Sequence, residues 1–165
     1  MYRTIEDFIY DLKNESEATL KVFNNIPENT GSEKQNENIR SILRLALHIT
    51  QTVSEMMHKI GLDIYMVDEA LPLPDSISII KDLYKKTTDD LLLKVSNWKN
   101  EKLAEENNLY GENWKNGVTF NVLIRHEIHH RGQLTTLMRL AGLKVPGIYG
   151  PAKEEWAAYG MTAPE

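Results

Sequence analysis

The chain contains no cysteine. That excludes disulfides and thiolate ligands, so a metal site has to be built from His, Asp and Glu, and any thiol chemistry has to come from a substrate or cosubstrate. No apolar run approaches the ~20 residues that a bilayer span requires, so no membrane segment is expected. The start, Met1-Tyr2-Arg3-Thr4-Ile5-Glu6-Asp7, is charged almost at once and lacks the apolar stretch of a signal peptide. A cytoplasmic location follows as the expectation. Basic charge is also short: 19 Lys and Arg face 24 Asp and Glu, for a net charge of −5. With no clustered Lys/Arg stripe, nucleic acid is a poor partner. Internal repeats, low-complexity segments and β-hairpin patterns are missing as well.

What is present is helical periodicity. With 165 residues and 41% hydrophobic content, the chain suits one domain over 1–165 with a sizeable core. The first helix is expected from about Thr4 to Asn25, with Ile5, Phe8, Ile9, Leu12, Thr19, Val22 and Phe23 on one stripe and a Thr4/Asp7 capping pair. The second is expected from about Ser32 to Ile60, stopped by Gly61. A loop with Pro72 and Pro74 follows. The third starts at Asp75 or Ser76 and runs through Trp98. Asn107 to Gly117 is polar and turn-rich. The fourth runs from about Val118 to Ala141, and Pro151 opens a short C-terminal helix carrying Glu154, Glu155, Trp156 and Tyr159. Four amphipathic helices with one long connection predict an all-α four-helix bundle.

Three of the five histidines lie in Arg125-His126-Glu127-Ile128-His129-His130-Arg131-Gly132-Gln133-Leu134. His126 and His130, four residues apart, leave the same helix face one turn apart and can grip one metal ion. Their stripe, shared with Val122, Leu123 and Leu137, is otherwise apolar and reads as the core face, where an unpartnered polar ring is costly. Arg131 falls away from it. A lone histidine on such a face is a hydrogen-bonded core residue more often than a ligand; a pair favours metal. A catalytic zinc site normally takes three protein ligands and keeps one open position. His48 and His58 are the candidates for the third. His48, among apolar residues in Leu45-Ala46-Leu47-His48-Ile49, is the better one, although it sits at the border of its own stripe; His58, beside Lys59, reads as exposed. His129 lies on the flank, and Gln133 shares the histidine face.

The same letters satisfy H-E-x-x-H, the zinc peptidase signature in which Glu127 would be the general base and Glu154 or Glu155 a downstream ligand. The extended form fails, because Gly132 is one residue early and no third His follows. Glu127 otherwise reads as a surface acid beside Arg131 at i+4.

The helix-two segment Leu45-Ala46-Leu47-His48-Ile49, the helix-four segment His126-Glu127-Ile128-His129-His130-Arg131-Gly132-Gln133-Leu134 and the tail Val145-Pro146-Gly147-Ile148-Tyr149-Gly150-Pro151 resemble the DinB-like family. The resemblance covers nearly the whole chain. It implies an up-up-down-down bundle with three histidines around a divalent metal, which by position are His48, His126 and His130. It also implies a homodimer. Some members are similar to transferases that use a low-molecular-weight thiol such as bacillithiol or mycothiol; others resemble metal-dependent hydrolases. The expected function is therefore a metal-dependent enzyme, with Zn²⁺ or Ni²⁺ as the ion, an unidentified small molecule as substrate, and Glu127, His129 and Gln133 as candidates for moving protons or orienting the substrate. The rival expectation is a non-catalytic bundle stabilised by its metal. The loop between helices two and three and the tail with Tyr149 and Trp156 are the expected cleft walls.

Overall fold

Three of the four long helices begin behind a hydroxyl that accepts one of the first free backbone N–H groups. In the computed structural model, which describes residues 1–164, α1 spans Ile5–Phe23, with Thr4 Oγ1 accepting from the Asp7 amide at 3.1 Å. Helix α2 spans Ile42–Lys59 behind Ser41, whose Oγ accepts from the Arg44 amide at 3.2 Å. Helix α3 spans Ile77–Val95 behind Ser76, and α4 spans Asn116–Leu140. The expected stop at Gly61 holds: its φ of +74° ends α2.

Four boundaries differ from expectation. Residues 32–41 are not helical. Glu33 to Asn38 is wholly polar and exposed, so no apolar face exists there to hold a helix against the bundle. Helix α3 ends at Val95, short of Trp98. The polar segment before α4 forms a hairpin, β1 Glu106–Leu109 paired antiparallel with β2 Glu112–Lys115. Only Leu109 is buried in it, so no alternating apolar signal exists, and its turn uses Tyr110 (φ +54°) where Asn or Asp is usual. The C-terminal helix reduces to a 3-10 turn, Trp156–Tyr159. Glu155 instead accepts from the Gly147 and Ala152 amides, at 3.1 and 2.9 Å.

The four-helix bundle stands, with α1 and α2 each packed on both α3 and α4. The directions are up-down-down-up, which corrects the up-up-down-down order. Helices α1 and α4 run parallel: the Tyr2 amide donates to Gly117 O (3.0 Å), Phe8 stacks on Phe120 (centroids 4.0 Å), and Lys21 Nζ reaches Gly147 O (2.7 Å). Helix α3 opposes α1, since Ser76 bonds to Glu28 and Phe23 packs on Tyr84. Helix α2 opposes α4, with Gln35 at Leu137 O ahead of α2 and Glu55 at Tyr110 near its end. The long connection between α2 and α3 explains the order. It buries Leu62, Ile64 and Val67 and runs back along α2, where the Val67 amide donates to Ser54 Oγ. Fourteen or so extended residues reach ~45 Å, more than a helix of this length covers.

No helix among the described residues is long and apolar enough to cross a membrane. The core is a continuous set of Leu, Ile, Val, Phe and Met from all four helices, with Tyr84 its largest fully buried side chain. Gly117 is where the chain start meets α4: a Cβ there would lie 2.5 Å from Tyr2 O. Gly117→Ala should therefore lower stability by about 1–3 kcal/mol, as overpacking does, read as an earlier midpoint in urea unfolding; an unchanged midpoint would disprove the close approach.

Candidate metal centre

Helix α4 presents different chemistry on two sides. One side faces α2 and carries His126 and His130; the other enters the bundle and carries Glu127 and Arg131. At the α2–α4 seam, one ring nitrogen from each of His48, His126 and His130 lies within 4.8 Å of the other two. His48 Nε2 and His130 Nε2 are 3.2 Å apart. Rings 48 and 126 lie 5.1 Å apart by centroid, and rings 126 and 130 lie 4.3 Å apart. All three are half-buried. The sequence spacing put His126 and His130 on one face; only the seam brings His48 to them.

Hydrogen bonds orient the cluster. His130 Nδ1 meets Gln133 Oε1 at 2.7 Å, and Gln133 Nε2 meets His129 Nε2 at 3.0 Å. An amide oxygen only accepts and an amide nitrogen only donates, so His130 carries its proton on Nδ1 and turns the Nε2 lone pair inward. Burial, with the field of Arg40 next, holds His48 down at about 4. Burial followed by His130 does the same for His126, also to about 4, and burial lowers His130. Three neutral imidazoles are the form that ligates a cation.

The face carrying these histidines is not the core face. The fully buried side of α4 runs through Phe120, Leu123, Glu127, Arg131, Leu134 and Met138. Glu127 is therefore no surface acid: Thr19 donates to its Oε1 at 2.6 Å and Tyr84 donates to the same oxygen. Its Oε2 is buried without a partner among the described residues. Arg131 is buried too and pairs with Glu15, not Glu127, while donating to Thr19 Oγ1 (3.2 Å) and to the Tyr149 hydroxyl (2.5 Å). The sequence reading missed this cluster; Thr19 inside an apolar stripe was its one visible trace.

These positions remove the peptidase geometry. Glu127 is held by α1 and α3, whereas the histidines meet at the α2–α4 seam. Glu154 pairs with Arg139, and Glu155 caps the tail. His58 stays apart from the cluster, its Nε2 2.7 Å from Ile64 O, and is half-buried rather than exposed. His129 and Gln133 are exposed beside the cluster.

Two clefts flank the histidines. One of about 420 Å³ reaches His48 and His126 and is walled by Arg44, Glu69 and Tyr110. The other, about 520 Å³, reaches His130 and Gln133 past Arg40 and Leu137. The α2–α3 loop thus supplies a wall through Glu69, as expected. The hairpin supplies the other through Tyr110. Tyr149 and Trp156 line neither cleft.

The DinB family model matches residues 1–165. The chain belongs to the DinB family. It is similar to the uncharacterized protein YrdA of Bacillus subtilis (strain 168), 34% identical over 166 residues that cover 100% of this chain and 99% of the relative. It is also similar to the crystal structure of a DinB-like protein from Bacillus cereus ATCC 10987, with 33% identity, a TM-score of 0.85, and coverage of 90% of this chain and 100% of the other. A DinB-like protein of Bacillus subtilis, YjoA, shares the fold at a TM-score of 0.68 and 19% identity, over 86% of this chain and 97% of its own. Membership confirms the family resemblance and the bundle.

Burial raises the Glu127 carboxyl above its ordinary range. An acid with a raised folded value binds its proton more tightly when folded, so its contribution is present at low pH and is lost as pH rises through that value. Glu127→Gln, which cannot titrate, should match wild-type stability within about 1 kcal/mol near pH 5 and gain on it as pH rises to 8. Glu127→Ala should lose about 2–5 kcal/mol, because it opens a cavity and strands the Thr19 and Tyr84 hydroxyls. Urea unfolding across pH checks both; a gap between wild type and Glu127→Gln that ignores pH would refute the assignment.

Proposed function

We propose that this chain is a metal-dependent enzyme whose divalent ion is held by His48, His126 and His130. The observation that carries the reading is the convergence of three half-buried imidazole nitrogens from two helices. The donor set fits. Zn–N bonds of ~2.0–2.1 Å at a tetrahedral angle put neighbouring nitrogens about 3.3 Å apart, and His48 Nε2 and His130 Nε2 stand at 3.2 Å. Three neutral nitrogens suit Zn²⁺ or Ni²⁺. Such an ion supplies Lewis acidity and a nucleophile, water or thiolate, at neutral pH.

The chain's own residues do the rest. Gln133 fixes the His130 tautomer and links it to His129, as outer-shell partners of metal histidines commonly do. The clefts on both sides of the cluster give a small molecule access, which favours catalysis over a sealed structural site. The reaction is of the hydrolase or thiol-transferase type, with a low-molecular-weight thiol as cosubstrate in the second case. Glu127, bonded to Thr19 and Tyr84, takes no part in it. A homodimer in the cytoplasm completes the proposal.

Untagged protein, analysed for bound metal by mass spectrometry, should carry close to one ion per chain. His48→Ala, His126→Ala and His130→Ala should each abolish it, and His58→Ala should not. Near-stoichiometric metal in the three variants would refute the site. At free metal a hundred times Kd, binding adds about 2.7 kcal/mol, so chelation should lower the thermal midpoint of wild type and leave the three variants unmoved. Turnover of small thiols with an electrophile, present in wild type and absent in His126→Ala, would separate the enzyme from the non-catalytic bundle.

A further inference from the structure

Arg44 precedes His48 by one helical turn on the same face of α2 and lines the same cleft. It is half-buried, yet it makes no ion pair and its guanidinium no hydrogen bond among the described residues. The acids nearby do not satisfy it. Glu55 is engaged by Lys59 at 3.3 Å and by the Tyr110 hydroxyl at 2.6 Å. Glu69 stays exposed at the rim, on a segment whose carbonyls Gln51 Nε2 holds. Nor does the helix favour a cation there. Arg44 sits three residues past the N-cap Ser41, at the positive end of the macrodipole, where an acid is the stabilising choice; the first turn of α2 has none. Arg40, still nearer that end, lines the other cleft. Both arginines lie close enough to make His48 less basic. In a chain of net charge −5, a half-buried guanidinium thus stands beside the histidines without an ion pair among the described residues.

We propose that Arg44 selects an anionic small molecule, holding its carboxylate- or phosphate-type oxyanion while another part of the molecule reaches the His48–His126–His130 cluster. This rests on the metal reading above and adds to it the charge of the substrate. A planar guanidinium binds such an oxyanion through paired, charge-assisted hydrogen bonds, and the cleft is large enough for a molecule of several heavy atoms on one side of the cluster.

The test uses cobalt-loaded full-length protein and three small thiols: 3-mercaptopropionate, 2-mercaptoethanol and cysteamine, whose tails are anionic, neutral and cationic. Thiolate-to-cobalt absorbance reports binding without any turnover. The ratio of Kd values between probes, compared between wild type and variant, cancels intrinsic differences in thiol acidity. Wild type should prefer 3-mercaptopropionate over 2-mercaptoethanol. Arg44→Gln, which keeps the backbone amide that caps α2, should cut that preference roughly tenfold. Arg44→Lys should retain part of it, and raised salt should weaken it. Equal ratios in wild type and Arg44→Gln, no binding of any probe by the cobalt protein, or loss of the preference in Arg40→Gln alone would overturn the assignment to Arg44. Failure of wild type to hold cobalt would instead strike the metal reading, and this inference with it.

Discussion

The rotation of α4 about its own axis is the constraint on which the site depends. Two buried anchors fix it. Glu127 is bonded to Thr19 of α1 and Tyr84 of α3, and Arg131 is paired with Glu15 and bonded to Thr19. Both anchors point into the bundle. Because side chains leave a helix about 100° apart per residue, a helix held with 127 and 131 inward must send 126 and 130 to the flank. That flank is the α2–α4 seam, where His48 waits. A small rotation would bury the imidazoles or release them to solvent.

Such anchoring works against stability. A fully buried carboxyl and guanidinium lose their hydration, and one oxygen of Glu127 has no partner among the described residues. Replacing groups like these with well-packed apolar residues is often neutral or stabilising. Their contribution is directional: a leucine in place of Arg131 would pack at several helix rotations, whereas a guanidinium that must meet Glu15, Thr19 and Tyr149 packs at one. The same pair ties the tail to the bundle, since the Tyr149 hydroxyl bonds to both Arg131 and Glu15.

The site therefore sits between two polar systems of opposite purpose. The inner one is closed, linked to itself and spent on geometry. The outer one is open: neutral histidines, a glutamine that sets a tautomer, and two arginines whose guanidinium groups have no partner among the described residues. Polar groups left unsatisfied at a solvent-reached seam are free to meet a ligand, while the inner set has no access to one. The Glu127 of the H-E-x-x-H pattern belongs to the inner set and so stands away from the histidine cluster.

Local rules were legible in the sequence. Periodicity gave α1, α3 and α4, with Ser76 as a cap and Gly61 as a stop, because these depend on neighbours within a turn. The spacing of His126 and His130 gave a shared face for the same reason. The hairpin was invisible because its strands are polar and four residues long, and the stretch from Ser32 to Ser41 kept helical letters with no apolar face to hold them. Which face of α4 enters the core was misread, since Val122 and Leu137 beside the histidines looked like core and Arg131 did not. The sequence by itself determined the bundle, the two-histidine face and, through family resemblance, the third histidine of the cluster. Only the tertiary structure decided the helix directions, the inward turn of Glu127 and Arg131, the pairing of His48 with the α4 histidines and the place of Arg44 beside them. Those depend on contacts between residues 43 to 126 positions apart, and such contacts leave no mark on local spacing.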